Sequence, residues 1–135
     1  MAKIIIDADG AVRGRVASFA AKQALSGNEI IIVNSEKALI SGRAEQNIDD
    51  FKARRRLNTI KPEKGPFFSK NPEKIMKRTI RGMIPDFRRA RGKEAWKKIR
   101  CYSGVPEELK KEKAIKMNKS VPVKVITIQE LSRRA

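Results

Sequence analysis

Two unbroken β-branched runs, Ile4-Ile5-Ile6 and Ile30-Ile31-Ile32-Val33, stand in the first quarter of the chain. A run that is apolar at every position leaves no face for water, so it predicts short strands covered on both sides, as in a parallel sheet. Between them Val16, Phe19, Ala20 and Ala24 recur at helical spacing, and Gly27 stands where a helix C-terminus favours glycine. Residues 1–33 therefore read as β-α-β, with a right-handed crossover as the default.

The pattern then becomes more polar. SEKALISG predicts a turn and a short third strand at Ala38 to Ile40, followed by a helix with Ala44, Ile48 and Phe51 on one face that runs into Arg54-Arg55-Arg56. KPEKGPFFSK, residues 61–70, holds two prolines and a glycine without periodicity and reads as a surface loop. Asn71-Pro72-Glu73 reads as a helix start: a capping side chain, proline at the first helical position and an acid near the positive end of the dipole. Along that helix Ile75, Met76, Thr79, Ile80, Met83 and Ile84 form one apolar stripe, while Lys74, Lys77, Arg78 and Arg81 share another face. Pro85 ends it. A short helix from Gly92 to Lys98 would pack Ala95, Trp96 and Ile99 and present Lys93, Lys97 and Arg100, with Cys101-Tyr102 as a last strand of the sheet. The domain reading is an α/β core over residues 1–105, its basic part at 51–105, and a C-terminal appendage at 106–135 packed on the core or on neighbouring partners. That appendage holds a Pro-Glu-Glu helix start, a lysine-rich stretch to Lys119 and an edge strand within Val121 to Ile128.

Charge changes this picture most. The 135 residues carry a net +17, far beyond what solubility asks for, and a chain that repels itself this strongly is suited to a polyanion. The excess is local: residues 1–50 are near neutral at −1, residues 51–105 carry +14 and residues 106–135 carry +4. A near-neutral scaffold thus carries a basic surface. No apolar run approaches the roughly 18 residues that span a bilayer, and MAKIIIDADG lacks the features of a secretory signal. The single cysteine, Cys101, cannot form an internal disulfide, the usage expected of a cytosolic protein. It reads as a small buried residue.

Candidate chemistry is sparse. There is no histidine, which removes the usual general base, the Ser-His and Cys-His dyads and the commonest zinc ligand. Asp7, Asp9 and Glu36 either gather at strand ends to hold magnesium, as a nuclease or phosphotransferase requires, or are loop acids that accept backbone hydrogen bonds or pair with Arg13 and Arg15. A dinucleotide fingerprint counted from Gly10 would need glycine in place of Val12 and Arg15, and a phosphate-binding P-loop would need glycine and lysine in place of Arg15 and Val16. No cofactor is therefore expected. Arg13 and Arg15 either hold one backbone phosphate of a larger partner or pair with the local acids.

The basic middle points to nucleic acid over a membrane surface, because the apolar stripe at 75–84 is too narrow for an interfacial helix. Zinc-finger spacing, a basic zipper and an RNP1 motif are all missing, so base readout by a familiar module is not expected. Phe67, Phe68, Phe87, Trp96 and Tyr102 are interleaved with the bases and either pack in the core or stack on unpaired nucleotides. Folded RNA suits such a surface better than plain duplex DNA.

Four blocks sharpen the reading: DADG with GRVAS at residues 7–18, IVNSEKALISG at 32–42, RGMIP at 81–85 and YSGVP at 102–106. In this order they resemble the L-thirteen family of large-ribosomal-subunit proteins, over essentially the whole chain. Without the additional loop of bacterial members or the long C-terminal extension of eukaryotic ones, the chain resembles the archaeal branch. The resemblance implies a three-layer α/β/α domain with a mainly parallel four-stranded sheet. It also implies a non-enzymatic, cytoplasmic protein of the ribosome, in single copy, bound to large-subunit ribosomal RNA and to neighbouring ribosomal proteins early in assembly. By the same resemblance Met83, Ile84 and Pro85 fix a turn, and Arg81, Arg88, Arg89, Arg91 and Lys93 neutralise phosphate. Charge placement alone adds Arg54, Arg55, Arg56, Lys77, Arg78 and Lys97.

Overall fold

The isoleucine runs become the two central strands of a parallel sheet. In chain order the elements are β1 (Lys3–Asp7), α1 (Arg13–Leu25), β2 (Glu29–Val33), a 3₁₀ turn (Ser35–Lys37), β3 (Leu39–Ser41), α2 (Ala44–Arg56), α3 (Pro72–Met83), α4 (Ala90–Lys97), β4 (Ile99–Cys101), a second 3₁₀ turn (Glu107–Leu109), β5 (Ile115–Lys116), β6 (Val125–Thr127) and α5 (Ile128–Arg134). The computed structural model describes residues 2–57, 65–117 and 120–135. The first half of the loop predicted at 61–70 and the end of the lysine-rich stretch at 118–119 lie outside the described residues, and residues 65–70 contain neither helix nor strand.

The sheet is four-stranded and wholly parallel in the order β4-β2-β1-β5. Its two faces follow from the period-2 alternation of side chains. Ile6, Ile30, Ile32 and Ile99 face a helical layer and form the main core with Val16, Ala17, Ala20 and Ala24 of α1, Ile75, Met76 and Ile80 of α3, and Ala95 of α4. Ile5, Ile31 and Val33 face the other way and are covered by Leu109, with Tyr102 and Ala114 packed alongside. The fold is thus the three-layer α/β/α arrangement, its third layer thin and built on the Glu107–Leu109 turn.

Local signals hold at several joints. Gly27, at φ 97°, closes α1: its N–H donates to the Ala24 carbonyl, and the Asn28 N–H donates to that of Gln23, the paired bonds of a Schellman cap. Pro72 opens α3 as expected, but the Asn71 side chain makes no capping bond and the Asn71 N–H donates to Ser69 Oγ instead. Met83, on the predicted apolar stripe, is 42% exposed, because the last turn of α3 runs past the edge of the core, while Ile84 beyond it is buried.

Two strand assignments differ from the sequence reading. The third strand does not join the main sheet: β3 pairs antiparallel with β6, Leu39 opposite Thr127 and Ser41 opposite Val125, in a separate two-stranded ribbon. The strand expected within Val121 to Ile128 lasts only three residues, after which Thr127 caps a helix by accepting the Glu130 N–H at 3.1 Å. The fourth strand of the sheet is the two-residue β5, inside the lysine-rich stretch where periodicity gave no signal. Among the described residues no helix is long and apolar enough to cross a membrane.

Candidate nucleic-acid interface

In open α/β sheets ligands settle beyond the carboxyl ends of the strands. Here that end is tied up by its own side chains. Asp7 Oδ1 accepts the Asp9 N–H at 3.0 Å and Asn34 Nδ2 at 2.9 Å, and Glu36 Oε2 accepts the Gly104 N–H at 2.9 Å. Asn34 adopts φ 55°, which lets its N–H donate to the Gly104 carbonyl and pulls the loop after β4 over the strand ends. The acids therefore serve the loops, and among the described residues no group of three or more potential ligands could hold a metal ion.

The bases lie on the outer side of the helical layer. α3 sets its apolar stripe into the core, which turns Lys74, Lys77, Arg78 and Arg81 outward. Three of these four lie over aromatic rings: Lys77 Nζ is 4.9 Å from the Trp96 centroid, the Arg78 guanidinium 3.9 Å from that of Phe68, and the Arg81 guanidinium 5.0 Å from that of Phe87. Arg78 also donates to the Phe67 carbonyl at 2.9 Å. Such contacts fix long side chains that would otherwise lose entropy on meeting a ligand. Arg88 reaches the Phe87 ring at 5.3 Å, and Arg89, Lys93 and Lys97 are exposed around α4.

Arg54, Arg55 and Arg56 end α2 exposed, and Arg54 joins Arg13 of α1 and Lys74, Arg78 and Arg81 of α3 around an open cleft of about 430 Å³. Burial first, and then the nearby Arg54 charge, lowers the Arg13 pKa; burial followed by the Arg81 and Arg54 charges lowers that of Arg78. Both stay protonated at any physiological pH. Like charges therefore crowd one place, with no carboxylate lining it among the described residues. Among the described residues the only salt bridges are Lys3–Glu112 at 2.8 Å and Arg134–Glu130 at 3.3 Å, so none of the predicted interface bases is paired with an acid.

Two predicted residues carry additional duties. Arg15 donates to the Ser120 carbonyl at 2.7 Å and so ties α1 to the C-terminal segment. Arg91 donates from Nε at 3.2 Å and from a terminal nitrogen at 2.9 Å to the Leu25 carbonyl, a charged cap on the last turn of α1. Neither Arg13 nor Arg15 pairs with Asp7 or Asp9. Lys74 lines the same cleft; it is not among the bases singled out from the sequence, although its i, i+3, i+4, i+7 spacing with Lys77, Arg78 and Arg81 carries the signal. The aromatics divide: Phe67 is 85% exposed, Phe68 is half-buried in the cleft wall, and Phe87 and Trp96 sit at the core edge with their rings beneath cations. Tyr102 packs on the thin layer against the sheet face that carries Ile31, and at the sheet edge it borders a groove with Lys74 and Lys77.

A mixed α/β frame with an unpaired basic face on its helical side agrees with the comparison of the chain with known proteins. Ribosomal protein L13 is the family that matches, over residues 2–108. The chain belongs to this family. Its relatives include the large ribosomal subunit protein uL13 of Methanosarcina barkeri, 48% identical over 82% of this chain and 78% of the relative. Those of Methanococcoides burtonii and Archaeoglobus fulgidus are 39% and 40% identical, each over 96% of this chain and over 95% and 85% of their own lengths. The archaeal resemblance, expected from the lack of the bacterial loop and the eukaryotic extension, agrees with these archaeal relatives. L13 proteins are structural ribosomal components and not enzymes, in keeping with a strand-end region whose carboxylates are engaged by its own loops.

Proposed function

We propose that this L13-family chain is a cytoplasmic structural constituent of the large ribosomal subunit, present in one copy, that binds ribosomal RNA and supports subunit assembly. The observation that carries the reading is the absence of acid partners, among the described residues, for the bases on α2, α3 and α4. Unpaired cations on one side of a folded domain, four of them held over aromatic rings, suit phosphate neutralisation. In this reading Arg54, Arg55, Arg56, Lys77, Arg78, Arg81, Arg88, Arg89, Lys93 and Lys97 meet phosphate directly, with Lys74 beside them. Arg13 and Arg15 meet it at the start of α1, and Arg91 adds charge while it holds α4 to α1. The C-terminal residues 106–135 supply the sheet edge and the surface for neighbouring proteins.

Sedimentation of a cell extract through a sucrose gradient at high salt tests the proposal, with the chain followed by antibody. Retention with the large subunit is expected. Release into the free fractions would instead mark an RNA-binding regulator that uses the same surface off the ribosome.

A further inference from the structure

We propose that the cleft between α1, α2 and α3 receives a single unpaired nucleotide of RNA, its phosphate among Arg13, Arg54 and Lys74 and its base stacked against Phe68. This rests on the RNA-binding reading and goes beyond it, since backbone neutralisation needs only a surface and not a cavity.

Size is the first argument. At about 430 Å³ the cleft falls at the lower end of the range that encloses small ligands, about 300–1,000 Å³. A paired helix, whose bases are stacked inward, has nothing to place there; an extruded nucleotide has both a phosphate and an exposed ring. Charge is the second. Three helices contribute cations, and the largest cost falls on the most buried of them, Arg13, which has no acid or hydrogen-bond partner among the described residues. Burial and neighbouring arginines both work against its charged form, and a bound phosphate would reverse that balance. Shape is the third. The Arg78 guanidinium, anchored by the Phe67 carbonyl and lying 3.9 Å over Phe68, makes a flat double layer at the wall, ready for a base without further ordering.

The test uses the full chain, an RNA duplex, and the same duplex with one bulged nucleotide. Trp96, the only tryptophan, lies in a groove shared with Lys74, Arg78 and Arg81, so its fluorescence reports binding. The bulged RNA should bind about tenfold tighter, the worth of one base–aromatic stack. Phe68→Ala should erase that preference, lowering affinity for the bulged RNA about tenfold more than for the plain duplex, which loses only the ordering of Arg78. Arg54→Gln, an exposed change that does not touch the core, should also reduce the preference. Equal binding of the two RNAs by the wild type, or a preference that survives Phe68→Ala, overturns the nucleotide cleft while leaving RNA binding intact. Occupation by uridine monophosphate as tight as that by the bulged RNA would overturn the RNA source in favour of a soluble nucleotide. Failure of both RNAs to bind would defeat the cleft and the RNA-binding reading together.

Discussion

Gly92 shows how one atom can place a run of arginines. A Cβ at this position would run into the carbonyl oxygens of Pro85 and Asp86, so α4 can approach the turn after α3 only without a side chain there. Asp86 at φ 48° and Ala90 at φ 42° hold strained backbone on either side of Phe87, Arg88 and Arg89. Gly92→Ala should therefore cost about 2–3 kcal/mol, as overpacking against backbone does, and weaken RNA binding as the arginines shift. Chemical denaturation of the variant reads the first effect and RNA titration the second. Cys101 gives a residue-scale prediction of another kind. Burial pushes its thiol up to about 12, with Lys77 pulling the other way and Glu73 adding to the rise, against an ordinary value of 9.0. The folded chain thus holds this proton where the unfolded chain releases it. Its contribution to stability is whole below pH 9 and is lost as pH climbs toward 12. Iodoacetamide should label Cys101 at pH 9 roughly 10²-fold slower in the folded protein than in denaturant. Equal rates would show an accessible thiolate.

At the scale of elements, β6 and α5 show what periodicity misses. They lie within the last 30 residues, far in sequence from what they complete: β6 is the strand paired with β3 among the described residues, and Ile126, Ile128 and Leu131 are buried in the main core. Three such side chains are worth about 1.5–3 kcal/mol each, so their sum is comparable to the roughly 5–15 kcal/mol stability of a whole domain. Truncation after Ser120 should abolish cooperative thermal unfolding, as followed by circular dichroism, whereas removal of Arg134 and Ala135 alone should be nearly silent. Elements that need only one face of one helix are legible in the sequence. α1, α2 and α3 were legible because apolar residues at 3.6-residue spacing must share a buried side. β5 was not, because a two-residue strand among lysines has no period of its own and is held by pairing of Ile115 and Lys116 with Ile6 and Asp7 of β1.

Across the whole molecule the unpaired bases are unevenly placed. The helical side carries those of α3 and α4, whereas on the thin layer Glu107, Glu108 and the Lys3-paired Glu112 are interspersed with Lys110, Lys111 and Lys113. A domain with one predominantly basic side would meet RNA with one orientation favoured before contact. If six to ten phosphates are neutralised, affinity should fall by about 10³ to 10⁵ between 50 and 200 mM salt. Charge reversal at Arg88 and Arg89 should flatten that slope and weaken binding without lowering the melting temperature, because both side chains are exposed. An unchanged slope would remove this part of the surface from the interface.

By itself the sequence determined the class of fold, the central β-α-β unit and the sign and location of the charge. Each rests on local information: a buried strand must be apolar throughout, a helix must bury one stripe, and +14 over residues 51–105 must face solvent or an anion. Tertiary structure alone decided that β3 leaves the main sheet for β6, that Arg15 and Arg91 hold the frame together, and that Arg13, Arg54, Arg78 and Phe68 meet around one cleft. Those contacts join residues up to 105 positions apart. Which distant partners meet depends on how the layers stack, since no local periodicity records it.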